Sequence, residues 1–570
     1  MTKRATLSLF LSLNLAACAT APQSATPSSA PGSTLFAKGM VSAADPRAAQ
    51  AGAEILRKGG SATDAAIATM LALTVVEPQS SGIGGGGFYV RGTPEGAVET
   101  LDGRETAPNG ATPSWFLDKE GKPLPFQVAV LSGLSVGVPG NIALAAEAHR
   151  RHGKLEWSEL FQPAIRLASD GWTLSERFHM FLEIRPQSAG ADPAGKALFF
   201  DESGKPRPVG AKLTNPELAG TLRRIAAEGP DSFYNGEHGR QMAHRIASET
   251  PRPLGMTASD ISKYKARKRT PVCGNYRAYR ICGMGPPSSG ATTVIAILGQ
   301  LERFDMASLG SQSPVAWHLF AESQRLAYAD RERFLADSDF IAVPVLELVD
   351  PEYLSKRGSL ISTDATMASA EPGLDQPPPD GMEPPENGTS HFAIIDREGN
   401  AVSYTSTIES AFGSGLMFGG FYLNNELTDF SFVPEADGHP VANRVEGDKR
   451  PRSSMAPTLV YGPDGSLVLS IGAAGGSTIP VQVARALIGY IDWKMPLDEA
   501  LALPMVYSPG DAIILEQGTA AESWAEALRA LGHEKIMARR LPTKTNAVAV
   551  SGPILTGAAD PRSEGAAVGQ

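Results

Sequence analysis

The sequence predicts an α/β protein assembled from two unlike stretches of chain, and three observations carry that expectation. Residues 140 to 350 are dominated by helical patterns such as GNIALAAEAHRRHG and SPVAWHLFAESQRLAYADRERF. From His391 onward short runs take over, among them HFAIID, AVSYTSTI, APTLVYG and SLVLSIGA, which read as strands. Between the two lies EPGLDQPPPDGMEPPENG, residues 371 to 388, where five prolines from Pro377 to Pro385 exclude helix and strand.

The composition suits a globular enzyme-sized chain: 570 residues, 42% apolar and 20% charged. A net charge of −10 implies no basic face, so nucleic acid is not expected as a partner. At the start, MTKRATLSLFLSLNLAACAT has a basic opening, an apolar run of about ten residues and small residues before Cys18, which is a secretory pattern. Its end, LAAC, resembles the bacterial lipoprotein signal, in which Cys18 is lipidated. A plain leader cut near Ala17 or Ala19 is the alternative. Residues 19–35, rich in Ser, Pro and Ala, are expected to be a flexible tether, so that any membrane contact runs through the lipid alone.

DPRAAQAGAEILRKGG reads as a helix stopping at Gly59-Gly60, and Ser61 with Asp64 as a capping box opening a second helix. EPQSSGIGGGGFYV follows. No Lys-Ser/Thr completes a phosphate loop, so the glycines are expected to let the backbone turn tightly beside a site. His149, His152 and His318 fall in helices and read as solvated or structural. In VCGNYRAYRICGM, a hairpin turning at Arg277-Ala278 would set Cys273 opposite Cys282, within disulfide reach; two buried thiols are the alternative. No zinc spacing or His-Glu-x-x-His motif is present, and neither metal nor cofactor is expected.

The sharpest question is why the Pro-rich segment ends on a threonine at the lip of a strand. HFAIID and AVSYTSTI are joined by REGN, which suits a tight turn. If Asp396 pairs with Ala401, Thr389 falls opposite Ile408, beside Thr407. A threonine hydroxyl needs a base to be a nucleophile. An α-amine, with a pKa of about 7.7 to 8.0, is a better base near neutrality than a lysine amine at about 10.4. Cleavage between Gly388 and Thr389 would put that amine on the nucleophile's own residue. NGT is also a glycosylation sequon, and Asn-Gly an ordinary turn.

NGTSHFAIIDREGNAVSYTSTI together with LNNELTDFS, RPRSSMAPTLV, GAAGGS and DPRSEG, and with LDGRETAP, GGGGF and VPG in the first half, resembles the gamma-glutamyltranspeptidase family. The likeness runs in order from about residue 36 to the C-terminus. It implies the N-terminal-nucleophile hydrolase fold, an αββα sandwich of two stacked antiparallel sheets between helical layers. It also implies self-cleavage into a large subunit, 36–388, and a small one, 389–570, and a glutathione-like γ-glutamyl substrate passed to water or an amine. By the same resemblance Thr389 is the nucleophile, Thr407 the threonine hydrogen-bonded to it, and Gly475 and Gly476 the backbone oxyanion hole. Arg104 grips the substrate carboxylate with Ser453 and Ser454, while Glu426 and Asp429 hold the ammonium. Two departures stand out. Glu409 replaces the asparagine of well-known members, and the segment from Asp429 to Ser453 is shorter than in members with a lid loop. A third carboxylate is expected to repel the substrate carboxylate unless protonated or paired. A related acylase acting on a different acyl group, such as glutaryl, and an inactive lipoprotein that keeps the fold as a binding module are the alternative readings.

Overall fold

The computed structural model describes residues 34–36, 38–374, 388–436 and 438–570. Cys18 and the Pro-rich tail from 375 to 387 lie outside the described residues. Two seven-stranded sheets stack face to face. The first runs Ala566–Gly569, Met40–Ala43, Ser390–Ile395, Ala401–Thr407, Gly86–Gly92, Val98–Asp102 and Arg267–Arg269. The second runs Thr34–Phe36, Ile554–Ala559, Lys544–Ser551, Leu467–Ala474, Thr458–Tyr461, Tyr279–Gly283 and Val272–Tyr276. Every pairing within them is antiparallel.

Burial on both faces explains why the strand Ser390–Ile395 does not alternate apolar with polar residues. It is buried at every position. Phe392 and Ile394 join a core with the helices Pro46–Arg57 and Ala62–Val76 on the outer face. Ala393 and Ile395 point the other way, into a core shared with Leu469 and Ile471 of the second sheet. That core continues into the helices Gly290–Leu301, Pro314–Phe334 and Ile479–Ile491. The result is the αββα sandwich that the resemblance implies.

The local signals act as the sequence suggests. Asp45 caps Pro46–Arg57, whose exit passes through Gly59 at φ 92°. Ser61 accepts the Asp64 N–H at 3.1 Å and the Asp64 carboxylate accepts the Ser61 N–H at 2.9 Å, closing the capping box. A Cβ on Gly52 would stand 2.4 Å from Thr69 Oγ1, which is why the two helices carry small residues where they meet.

Three expectations need correction. The hairpin register differs by one residue: Ile395, not Asp396, pairs with Ala401, and Ser390 pairs with Ser406. Asp396 instead closes the turn, its N–H bonded to the Asn400 carbonyl at 3.0 Å, with Gly399 at φ 81° taking the extra residue. Thr389 therefore extends the ladder toward Thr407 itself. The tether ends sooner than residue 35, because Thr34–Phe36 already pairs with Leu555, Thr556 and Gly557. The glycine-rich segment turns as expected, the Gly85 N–H donating to the Gly82 carbonyl at 3.1 Å with Gly82 at φ 156°, and its glycines do more. They allow backbones to touch: a Cβ on Gly84 would lie 2.0 Å from the Tyr422 carbonyl and one on Gly85 1.9 Å from that of Thr407. Lastly, the two stretches are not separate halves. Each sheet mixes strands from before and after Gly388.

At the far edge of the second sheet, Cys273 stands opposite Cys282 and the two sulfurs are bonded. Arg277 makes the turn between them with φ 54°.

Candidate functional site

Thr389 is buried at the entrance to its strand, 5% exposed. Its hydroxyl donates to the carbonyl oxygen of Gly388 and lies 3.2 Å from Thr407 Oγ1. Thr407 Oγ1 in turn lies 3.2 Å from the same Gly388 oxygen and accepts the Glu409 N–H at 2.8 Å. Two hydroxyls thus converge on one peptide carbonyl. Gly388 is held there by close packing, since a Cβ would sit 2.3 Å from the Glu409 carbonyl oxygen. His391, two residues on, is no base for this pair. It bonds Thr405 Oγ1 at 2.9 Å, and burial pushes it down to about 3.

Gly475 and Gly476 reach the same end of the sandwich because the strands march together. Ser470 Oγ donates to Val402, Ser403 Oγ to Ile471, and Gly472 lies under the His391 ring. Leu467–Ala474 therefore runs in the direction of Ala401–Thr407 and ends where that strand ends. Both glycines have positive φ, 133° and 62°, and open a short helical turn. N–H groups at such a start have no acceptor within the turn. The Thr478 hydroxyl donates to the Gly475 carbonyl at 2.8 Å and holds the loop.

A few residues away stands a charged cluster. The Arg104 guanidinium, 1% exposed, donates to Glu426 and Asp429 and also to the carbonyls of Pro451 at 3.2 Å and Arg452 at 2.7 Å. The last two bonds tie it to the residues preceding Ser453 and Ser454. Ser454 Oγ accepts from Arg331 at 2.7 Å; Ser453 Oγ accepts the Met455 N–H at 3.3 Å. The Asn443 amide braces the cluster, donating to the Asp429 carbonyl at 2.7 Å and accepting from the Arg452 N–H at 2.9 Å.

Glu409 connects the two parts. It sits at φ 72°, 2% exposed, its Oε2 accepting from Ser410 Oγ at 2.5 Å and from the Asn425 amide. Burial, then the nearby Asp429, hold its carboxyl well above the usual range. Glu426 is raised as well, chiefly by burial against the pull of Arg104. The expected repulsion from a third carboxylate is thereby relieved: Glu409 is both paired and biased toward its neutral acid.

Sequence reasoning missed four participants. Glu105, fully buried, lies against Gly86, whose Cβ would be 2.5 Å from Glu105 Oε2, and Gly86 pairs with Thr407. Burial pushes it up to about 7, against the pull of Arg104 and a hydrogen bond with the Glu426 carboxyl. Its signal was its place beside Arg104 in LDGRET. Asn425 lies inside the quoted LNNELTDFS. Lys544 and Glu77 carry no local signal. Lys544 pairs with Ala474, and its Nζ lies 2.5 Å from Glu77 Oε2 and 3.3 Å from the Thr389 carbonyl oxygen. Among the described residues no group of three or more His, Cys, Asp or Glu is arranged to hold a metal ion, and no helix is long and apolar enough to cross a membrane.

Such an arrangement has the parts for acyl transfer: a hydroxyl against a carbonyl, glycines at the same strand end, and a buried cluster of a guanidinium with several carboxyl groups. The comparisons agree. The Gamma-glutamyltranspeptidase family matches residues 48–570. Glutathione hydrolase proenzyme of Bacillus subtilis (strain 168) is 36% identical over 517 residues, covering 87% of this chain and 85% of that protein. Acylase ACY 1 proenzyme of Pseudomonas sp. (strain SE83) is 35% identical over 540 residues, covering 93% of each. The crystal structure of cephalosporin acylase from Bacillus halodurans superposes with a TM-score of 0.83 at 26% identity, covering 96% of this chain and 99% of that one. With its motifs in order, its sandwich in register and likeness along nearly its whole length, this chain belongs to the gamma-glutamyltranspeptidase family.

Proposed function

We propose that the chain is a self-processing γ-glutamyl amidase and transferase in which Thr389 cuts its own precursor and then turns over substrate. The observation that carries this is the convergence of the Thr389 and Thr407 hydroxyls on the Gly388 carbonyl. In processing, Thr389 Oγ1 attacks the Gly388 carbonyl carbon. A C–O bond forms, the Gly388–Thr389 C–N bond breaks, and the hydroxyl proton ends on the freed nitrogen. Water then hydrolyses the ester, leaving a Gly388 carboxylate and a Thr389 α-amine. Thr407, donating to the carbonyl oxygen, polarises it for attack.

In turnover the α-amine takes the Thr389 hydroxyl proton as Oγ1 attacks the γ-amide, and returns it to the departing amine. Gly475 and Gly476 donate to the oxyanion; losing one such donor typically costs about 10²- to 10³-fold in rate. Water or an acceptor amine releases the acyl group. Arg104, with Ser453 and Ser454, takes the α-carboxylate, and Glu426 with Asp429 takes the α-ammonium. Export and lipid anchoring at Cys18 rest on the leader sequence alone.

An acylase reading has its own support in the likeness to Acylase ACY 1 proenzyme and to the cephalosporin acylase. The pocket argues against a glutaryl group, which has the carboxylate but no ammonium. Glu426 and Asp429 both accept from Arg104, and these carboxyl groups are the acceptors that an α-ammonium would use and a glutaryl group would leave idle. Hydrolysis of γ-glutamyl and glutaryl p-nitroanilides separates the two. A kcat/KM at least tenfold higher for the γ-glutamyl compound is expected; the reverse preference transfers the assignment to an acylase.

A further inference from the structure

We propose that Lys544 is a positioning residue for Thr389, fixing its carbonyl and keeping the α-amine released by self-cleavage unprotonated near neutral pH. This rests on the self-processing reading above.

The geometry comes from three elements. Lys544 opens the strand Lys544–Ser551 and pairs with Ala474, the residue before Gly475. From there its side chain crosses between the sheets to reach the Thr389 carbonyl at 3.3 Å and Ser390 Oγ at 3.5 Å. Glu77, the C-cap of Ala62–Val76, meets it from the opposite side at 2.5 Å and also accepts from Ser390 Oγ at 2.6 Å. Lys544 and Glu77 are both 2% exposed. A buried pair of this kind contributes little net stability over an apolar pair of the same volume, so its presence behind a nucleophile calls for another reason.

Electrostatics supplies one. Residues in extended chain carry N–H and C=O on the same side, so a cation on the Thr389 carbonyl also stands near its nitrogen. A neighbouring positive charge disfavours the protonated amine and lowers its pKa, typically by one to three units when unscreened. Glu77 opposes the effect from beside Lys544, where it also accepts from Ser390 Oγ. Asp45 and Arg177 act on Lys544 from farther out with opposite signs. Glu409, on the loop after Ala401–Thr407, is biased toward its neutral acid, and His391 on Thr389's own strand is held neutral by burial. Among these groups Lys544 is the cation in contact with Thr389, its own pKa drawn down by burial and supported by Glu77.

The test compares the parent chain with Lys544→Met and with Glu77→Gln/Lys544→Met, which leaves no buried charge unpaired. Intact mass reports cutting. The pH profile of kcat/KM, on whichever anilide the enzyme hydrolyses, reports the amine. The expected result is a cut chain in both variants, with the acid limb moved up by about one pH unit. A purely structural lysine would lower kcat/KM by the same factor at every pH. An unmoved acid limb, or folded variants that no longer cut while the parent does, overturns the proposal. An uncut parent would instead remove the self-processing reading itself.

Discussion

At Gly388 a single hydrogen in place of a methyl group decides whether the scissile carbonyl can lie where two hydroxyls reach it. A Cβ there would stand 2.3 Å from the Glu409 carbonyl and 3.0 Å from the Ser410 carbonyl, both backbone atoms that cannot rotate aside. Gly388→Ala is therefore expected to slow precursor cleavage at least tenfold while leaving the fold intact. A time course of cleavage, with circular dichroism as the control for folding, checks this. Glu105 sets a second test. Its folded pKa of about 7 lies above the ordinary 4.5, so the native state holds a proton that the unfolded chain releases. Its contribution to stability therefore falls as pH rises from about 4.5 to 7, by up to about 3 kcal/mol. Glu105→Gln removes the proton and the penalty. The melting temperature of the variant relative to the parent should rise between pH 5 and pH 8; an equal offset at both would contradict the assignment. Arg104, Glu426 and Asp429 were legible because their motifs bring the charges with them. Lys544 was not, since a lone lysine in KTNAVAVS says nothing of what lies across the sandwich.

At the scale of elements, the signals that could be read were local. A capping box and a glycine exit each act within four residues, and both form as the pattern suggests. The hairpin differs by one residue because REGN does not close the turn alone: Asp396 leaves the strand to close it, and Gly399, in a left-handed conformation, lengthens the loop. That single step matters: it moves Thr389 from beside Thr407 to directly facing it. The glycine run does two things, of which the turn was legible. Tight turns and close backbone contacts both need glycine, and only the second requires knowing which strand lies opposite. Gly85 faces the Thr407 carbonyl, so Gly85→Ala is expected to destabilise by more than about 4 kcal/mol or to abolish folding, read as loss of soluble protein or a collapsed denaturation midpoint. On the remote edge, breaking the Cys273–Cys282 bond should cost about 2 to 3 kcal/mol without changing kcat/KM, since the hairpin stands apart from the site.

For the whole molecule, the position of Gly388 in the topology governs what cleavage would leave behind. The strand Ser390–Ile395 is hydrogen-bonded on one side to Met40–Ala43, from before the cut, and on the other to Ala401–Thr407, from after it. The second sheet likewise joins Tyr279–Gly283 to Thr458–Tyr461. Severing one peptide bond leaves these ladders untouched, so the two fragments are expected to migrate together on size exclusion and to separate only in denaturant. The most direct test of the account is the intact mass of purified protein expressed without its first 18 residues, beside Thr389→Ala. The account predicts a fragment running from Thr389 to Gln570 in the parent and none in the variant. A parent chain that stays whole under conditions where it is folded, or a variant that is cut at the same bond, would contradict it.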